Sequence, residues 1–213
     1  MTFYQLMHRE LWGDYGAFLI HGMSHVGRVN GCLQLARTGP YIPPLTLLGL
    51  HDFIVTDDLC RKMKLSNLGH FTFRPVIKSH IVECHWELWN LDSDEPAAYP
   101  WDLTRNIEVT HVAHEPEDYV LSHPHSSFMA DQLGPLWEVV FREGGELQVA
   151  DGATSSTKLT LIVATWNGDH LFLGRNLAVP DDWGLYPIVD ETGKAWLERN
   201  ANEWLYFEPI AQG

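Results

Sequence analysis

The sequence predicts an α+β protein with a mixed or antiparallel sheet and a few short helices. Short segments rich in β-branched and aromatic residues recur along the chain, separated by glycine, proline and acidic clusters. Only a few segments combine a capping residue with a helical stretch behind it. The composition, with 45% hydrophobic and 20% charged residues over 213 positions, is that of a globular protein. We expect a single domain over 1–213.

The segment 53–76, FIVTDDLCRKMKLSNLGHFTFRPV, has the clearest order of elements. A short β-branched strand leads into Thr56 and Asp57, whose side chains can accept hydrogen bonds from the free N–H groups of a helix start. A short helix follows, and then an extended segment ends at Pro75, which cannot donate to a sheet ladder. This pattern predicts a strand–helix–strand unit.

The segment 187–210, PIVDETGKAWLERNANEWLYFEPI, has the same pattern, with Asp190 and Glu191 in place of the polar cap. An alignment without gaps superposes four identical residues, Ile54, Val55, Phe73 and Pro75 on Ile188, Val189, Phe207 and Pro209. Each segment alone is too short to bury a core. We therefore interpret the two segments as a pseudo-repeat and expect them to share one sheet.

Other strands are predicted from local patterns in the first half of the chain. Residues 3–7 and 17–20 are expected to form short strands. Residues 81–88 alternate between apolar and polar side chains, which is typical of a half-buried strand.

The second half contains one predicted helix and several predicted strands. Ser126 or Ser127 is expected to cap a short helix through Leu133, and 136–142 is expected to be a strand. The glycine- and serine-rich stretch 144–158 is predicted to be a loop and a candidate subdomain joint. Residues 159–166 and 170–173 flank Asn167-Gly168, a pair that suits the type I′ turn of a hairpin.

The charge and the cysteines limit the choice of partner and compartment. The chain carries 14 basic and 28 acidic residues, a formal charge of −14. This balance disfavours binding to nucleic acid or to anionic membranes and favours a basic partner, although solubility alone also explains it. Cys32, Cys60 and Cys84 form no C-x-x-C pair, as expected for free thiols in a reducing compartment. The N-terminal residues show no signal-peptide pattern, so we expect a cytoplasmic protein.

Twelve histidines raise the alternative of a metal-dependent hydrolase. Zinc needs three or four converging ligands, and the candidates are His80, Cys84, His85, His111, His114, His123 and His125. None of the spacings typical of zinc sites is present, and neighbours on a strand face opposite sides. We therefore predict no metal and no cofactor.

Nucleophile and phosphate motifs are not found either. The segment Gly22-Met-Ser-His-Val-Gly27 has the wrong spacing for a nucleophile elbow, and the nearby glycines match no phosphate-binding loop. A pair of acid–base carboxylates stays open, because nothing in the sequence selects two of the 28 acidic residues. We predict that the protein is not an enzyme.

Acidic and aromatic residues occur together at three places, one of which is Asp181-Asp182 beside Trp183. Carboxylates steer a basic partner, while tryptophan and tyrosine supply contact area. The alternative is that these acids only keep the surface solvated. We predict a partner-binding surface formed by Asp92, Asp94, Glu95, Trp101, Glu115, Glu117, Asp118 and Tyr119.

The two segments 53–76 and 187–210, together with Arg37-Thr-Gly-Pro-Tyr-Ile-Pro-Pro44, resemble two families of bacterial immunity proteins. These are the families of immunity protein 11 and of the double-CXXCG immunity proteins, and the resemblance covers chiefly 37–121 and 185–210. It implies a cytoplasmic antidote that binds a cognate toxin of a polymorphic or contact-dependent system and occludes its active site. The paired cysteines of the double-CXXCG relatives are missing here, so no metal site is carried over. A small-molecule-binding accessory module is a further alternative.

Overall fold

The computed structural model describes residues 1–9, 11–48, 52–83, 94, 120–149, 159–179 and 184–213. The protein is mixed α+β, as predicted, with short helices and mostly strands. The helices are α1 (Gly13–His21), α2 (Asp57–Lys64), α3 (Ser127–Gln132) and α4 (Glu191–Asn200), with a 3₁₀ turn at Val163–Thr165. The strands are β1 (Phe3–His8), β2 (Met23–Val29), β3 (Cys32–Gly39), β4 (Leu45–Leu48), β5 (Asp52–Thr56), β6 (Phe71–Pro75), β7 (Ile77–Glu83), β8 (Leu136–Phe141), β9 (Glu143–Val149), β10 (Leu159–Ile162), β11 (Leu171–Asn176), β12 (Leu185–Asp190) and β13 (Leu205–Gln212).

The described strands form three sheets. One is a closed barrel in the order β1-β12-β11-β9-β10-β13, which the sequence did not predict. The second has three strands in the order β2-β3-β7, and the third has four in the order β4-β5-β8-β6. No helix in the described ranges has the length and the apolar character that a membrane span requires.

Both segments of the predicted pseudo-repeat contain a strand, a capped helix and a second strand. In the first segment these are β5, α2 and β6, and the Thr56 side chain accepts a hydrogen bond from the Leu59 N–H at 3.5 Å. In the second they are β12, α4 and β13, and Asp190 accepts from the Gly193 N–H at 2.8 Å. Each cap satisfies a backbone donor that the helix itself leaves unpaired.

The expectation that both segments share one sheet is wrong. The strands of the first segment lie in the four-stranded sheet, on either side of β8, and those of the second lie in the barrel, on either side of β1. The segments pack on each other instead of pairing. They contribute to one hydrophobic cluster that includes Leu6, Leu45, Phe53, Val55, Met63, Val139, Leu171, Val189, Leu197 and Leu205.

Three local predictions are confirmed. The strand predicted over 3–7 is β1, and the strand predicted over 136–142 is β8. Helix α3 is capped by Ser126, whose hydroxyl accepts a hydrogen bond from the Met129 N–H at 3.3 Å. Residues 81–83 of the strand predicted over 81–88 belong to β7, and 84–88 lie outside the described residues.

The strand predicted over 17–20 is wrong, because these residues belong to α1. Leu19 and Ile20 are buried in a cluster with Ala36 and Val82. Short apolar runs do not distinguish a buried helix from a strand, and here packing against the three-stranded sheet decides for the helix.

The predicted hairpin at Asn167-Gly168 is also wrong. Strand β9 lies between β10 and β11 and pairs with both, so the two predicted hairpin strands are not neighbours. Asn167 instead uses its side chain to accept a hydrogen bond from the Asp169 N–H at 2.9 Å, which forms a local turn. Part of the predicted loop 144–158 is strand β9, and 150–158 lie outside the described residues.

Candidate functional site

The predicted partner-binding surface falls almost entirely outside the described residues. This applies to Asp92, Glu95, Trp101, Glu115, Glu117, Asp118 and Tyr119. Asp94 is described, and it is exposed. In the sequence all eight residues lie between the end of β7 and Val120. Because seven of them lie outside the described residues, the binding surface remains a prediction.

Two of the histidines proposed as metal ligands hold the backbone together. His80 Nε2 lies 2.8 Å from the carbonyl oxygens of Val120 and His123, to which it donates. His125 Nδ1 accepts a hydrogen bond from the Ile81 N–H at 2.9 Å. These bonds attach residues 120–126 to strand β7, and each of the two histidines uses one ring nitrogen in them.

The other candidate ligands do not add a metal site to the described part of the chain. Within it, no group of three or more histidine, cysteine, aspartate or glutamate side chains could hold a metal ion. His85, His111, His114 and Cys84 lie outside the described residues.

The structure brings together two histidine–aspartate pairs that the sequence did not reveal. His70 Nδ1 lies 2.7 Å from Asp169 Oδ1, and His170 Nδ1 lies 2.7 Å from Asp190 Oδ2. Both carboxylates are buried, while the His70 side chain is 77% exposed. A carboxylate that binds Nδ1 fixes the ring and leaves Nε2 as the nitrogen for a proton or a ligand. These are the described histidines whose geometry is most suited to chemistry.

Each of these pairs also has a structural role. Asp190 caps α4 with one oxygen and binds His170 with the other. Asp169 accepts a second hydrogen bond, at 2.9 Å, from the Asn167 side-chain amide. Since both carboxylates also accept structural hydrogen bonds, their pairing with histidine is no specific sign of catalysis. In the sequence, the only sign of these pairs is that Asp169 and His170 are adjacent and follow a turn. This sign is weak, because each of the two residues pairs with a distant partner.

A charged cluster joins the β2–β3 hairpin to the four-stranded sheet. Glu138 is 4% exposed, and the Arg28 guanidinium donates to both of its carboxylate oxygens, at 2.6 and 2.8 Å. Arg74 approaches the same carboxylate at 3.6 Å, and Arg28 also binds Asp52 at 3.1 Å. A bidentate arginine is a strong partner for a buried carboxylate. The cluster therefore neutralises the Glu138 charge and positions the hairpin.

A buried cation lies against the C-terminal end of α1. Arg37 is fully buried and donates to the carbonyl oxygens of Leu19, Ile20 and Thr38. Two of these carbonyls belong to the last turn of α1, where a cation is favourable. His21 lies nearby and is 2% exposed, and burial, His8 and Arg37 together lower its pKa to about 2. This region thus holds one permanent positive charge and keeps His21 neutral.

Among the described side chains, the charged groups of Arg28, Glu138 and Arg37 bind each other or the backbone. No family model matches the chain, and neither a curated protein nor a solved structure matches it.

Proposed function

We propose that the protein is an immunity protein that binds a cognate secreted or contact-dependent bacterial toxin domain and occludes its active site. The partner is a basic protein domain, and the contact is made by the acidic and aromatic residues between β7 and Val120. The distribution of charge carries the proposal. Nine of the 28 acidic residues and one of the 14 basic residues lie in the stretch 84–119.

This concentration of charge favours a basic partner over simple solubility. Solubility requires charge of one sign but not its concentration in one stretch of sequence. A localised acidic surface raises the association rate with a basic protein and orients it. The described polar clusters, in contrast, combine both signs and satisfy each other, as the contacts of Glu138 with Arg28 and Arg74 illustrate.

The metal-dependent hydrolase has less support. Its candidates His80 and His125 each use one ring nitrogen in a hydrogen bond to the backbone, and the described residues contain no cluster of three possible ligands. Elemental analysis of protein purified without added metal tests this alternative directly, since a stoichiometric metal would favour it.

The first test of the proposal uses the product of the gene next to this one. That neighbour is expressed in a host with and without this protein, and growth is followed. We expect the neighbour to be toxic alone and harmless with this protein, and we expect the two proteins to purify as a complex. A neighbour that kills regardless, or that is harmless by itself, contradicts the proposal.

The second test locates the binding surface by charge reversal. Substitution of Asp92, Asp94 and Glu95 by lysine, or of Glu115, Glu117 and Asp118 by lysine, is expected to weaken binding at least tenfold, about 1.4 kcal/mol. The loss is expected to appear mainly in the association rate at low salt. The matched control reverses three exposed acids of the scaffold, Asp58, Glu198 and Glu208. If the control weakens binding as much as either cluster does, net charge and not the proposed surface is responsible.

A further inference from the structure

The four-stranded sheet has a counterpart inside the barrel. In the four-stranded sheet, β5 and β6 flank β8, and β4 lies outside β5. In the barrel, β12 and β13 flank β1, and β11 lies outside β12. The two flanking strands are joined by a helix in each case, α2 or α4. The topology is therefore the same over four strands and one helix.

The strand registers are the same as well. On each central strand an aromatic residue lies opposite a valine of one neighbour and a proline of the other. The two sets are Trp137 with Val55 and Pro75, and Tyr4 with Val189 and Pro209. A slip of one residue would turn every side chain to the other face of the sheet. Agreement on both sides of the central strand thus indicates a common unit.

The order of the elements along the chain also corresponds. The first half contains β1, β3, β4, β5, α2 and β6, and the second contains β8, β10, β11, β12, α4 and β13, in the same order. Strand β7 follows β6 and pairs in parallel with β3. In the second half, the end of β13 pairs in parallel with β10 in the same way. Helix α1 has no counterpart, because β9 follows β8 after the single residue Arg142.

The buried residues occupy equivalent positions. The cluster between the three-stranded and four-stranded sheets contains Leu33, Leu35, Ile54, Val76 and Leu136. The cluster inside the barrel contains their equivalents Leu159, Leu161, Ile188, Ile210 and Phe3. The similarity of 53–76 to 187–210 is the part of this correspondence that the sequence shows most clearly.

The central strands are located in the opposite halves. Strand β1 belongs to the first half of the chain but completes the sheet of the second half, and β8 does the reverse. We propose that the chain consists of two copies of one unit that have exchanged their central strands, so that each half is the binding partner that completes the other. The stretch 84–119 lies between the copies, outside both sets of equivalent elements.

The exchanged strands are anchored by buried side chains and by polar contacts between the halves. Phe3 and Leu6 of β1 are 0% and 1% exposed. In β8, the Trp137 indole N–H donates to Asp57 at 2.9 Å, and Glu138 holds Arg28. These contacts hold the two halves together without help from the covalent connection through 84–119.

The test cuts that connection in the folded, full-length protein. A recognition sequence for a site-specific protease is inserted after Ala97, and the purified protein is cleaved. We expect the two fragments to co-elute as one species in size-exclusion chromatography and to keep the circular dichroism spectrum of the uncut protein. Their unfolding midpoint is expected to fall on dilution, as for a two-chain complex. Separation of the fragments, with or without loss of structure, overturns the proposal.

A pair of cysteine variants tests the exchange itself. Gln5 lies opposite Glu208 in the barrel. Its equivalent on β8 is Glu138, which lies opposite Arg74. Without the exchange, Gln5 would therefore lie opposite Arg74. After cleavage and oxidation, Gln5→Cys with Glu208→Cys is expected to link the fragments in a non-reducing gel. The matched pair Gln5→Cys with Arg74→Cys lies within one fragment and is expected to form no disulfide. The cut wild-type protein controls for the natural cysteines. Preferential formation of the second disulfide overturns the exchange.

Discussion

The buried histidine at the end of α1, His21, leads to a quantitative prediction about pH. His21 is 2% exposed, and its ring centroid lies 4.7 Å from that of His8, with the two rings tilted by 55°. Neither of its ring nitrogens has a hydrogen-bond partner in the structure as described. Burial is the largest cause that lowers its pKa, and the positive charge of Arg37 adds to it. The folded protein therefore excludes a proton that the unfolded chain accepts.

The magnitude follows from the two pKa values. The pKa of His21 is 6.5 in the unfolded chain and about 2 in the folded protein. Above pH 6.5 both states are neutral, and the contribution to stability is complete. Below pH 6.5 the unfolded state gains a proton, and stability falls by about 1.4 kcal/mol per pH unit towards pH 2. Between pH 7.5 and pH 5.0 the loss amounts to about 2 kcal/mol.

The assay compares urea unfolding of the wild type and of His21→Leu at pH 7.5 and pH 5.0. At pH 7.5 we expect the variant to be within about 1 kcal/mol of the wild type, because it removes two unsatisfied polar atoms but alters the packing. At pH 5.0 we expect its stability relative to the wild type to have risen by about 2 kcal/mol. His8→Gln is the control, and it should retain most of the pH-dependent loss because burial is the main cause.

The reasoning is refuted if the difference between the wild type and His21→Leu is the same at both pH values within about 0.5 kcal/mol. His21 would then be protonated in the folded state, or exposed to water. If the pH-dependent loss of stability disappears in His8→Gln, the contact between the His8 and His21 rings, and not burial, is its main cause.

Three further predictions test the packing and the polar contacts. Glu138→Ala should destabilise the protein by about 2–4 kcal/mol in urea unfolding, because it leaves its arginine partners beside a buried gap. The control Asp58→Ala, on the surface, should cost at most about 0.5 kcal/mol. Equal losses in the two variants would contradict the role of the buried cluster. Asp190→Ala should lower the free energy of unfolding more than Thr56→Ala does, because Asp190 caps a helix and also binds His170. Thr56→Ala removes only a cap, worth about 1 kcal/mol. Equal losses of stability in calorimetry would refute this prediction. Phe53→Ala should cost about 3–5 kcal/mol through the cavity it creates, and a loss below about 1 kcal/mol would show that Phe53 is not in the core.

Local signals predicted the elements that local interactions determine. The order of β5, α2 and β6 follows from a cap at Thr56 and a closing proline at Pro75, both of which act within a few residues. Helix α3 was predicted for the same reason, since Ser126 binds a backbone N–H three residues ahead. The α+β class follows from many such local patterns.

Elements that depend on distant packing were missed. Gly144 was interpreted as part of a loop, but it lies in β9, where a Cβ atom would come within 2.5 Å of the Phe172 side chain. Glycine is needed there for close approach and not for a turn. The barrel depends on pairing of β1 with β12 and β13, across nearly the whole chain. No local pattern encodes such a contact.

The same distinction applies to the candidate site. His70 and Asp169 meet through the packing of distant segments, as Leu68 accepts backbone hydrogen bonds from His170 and Leu171. Their pairing could not be derived from spacing in the sequence. The acidic stretch, in contrast, was visible as composition alone, and its role still rests on charge.

The closed barrel has a consequence for aggregation. A closed barrel presents no edge to which another chain could add a strand. Among the described strands, the four-stranded sheet instead ends in β4 and β6. Strand β4 is buried along its length, and β6 carries Arg74 and ends at Pro75, a charge and a proline that hinder the addition of a strand. Among the described strands, the remaining edges are β2 and β7 of the three-stranded sheet, so on heating or at high concentration we expect intermolecular strand addition to start in that sheet.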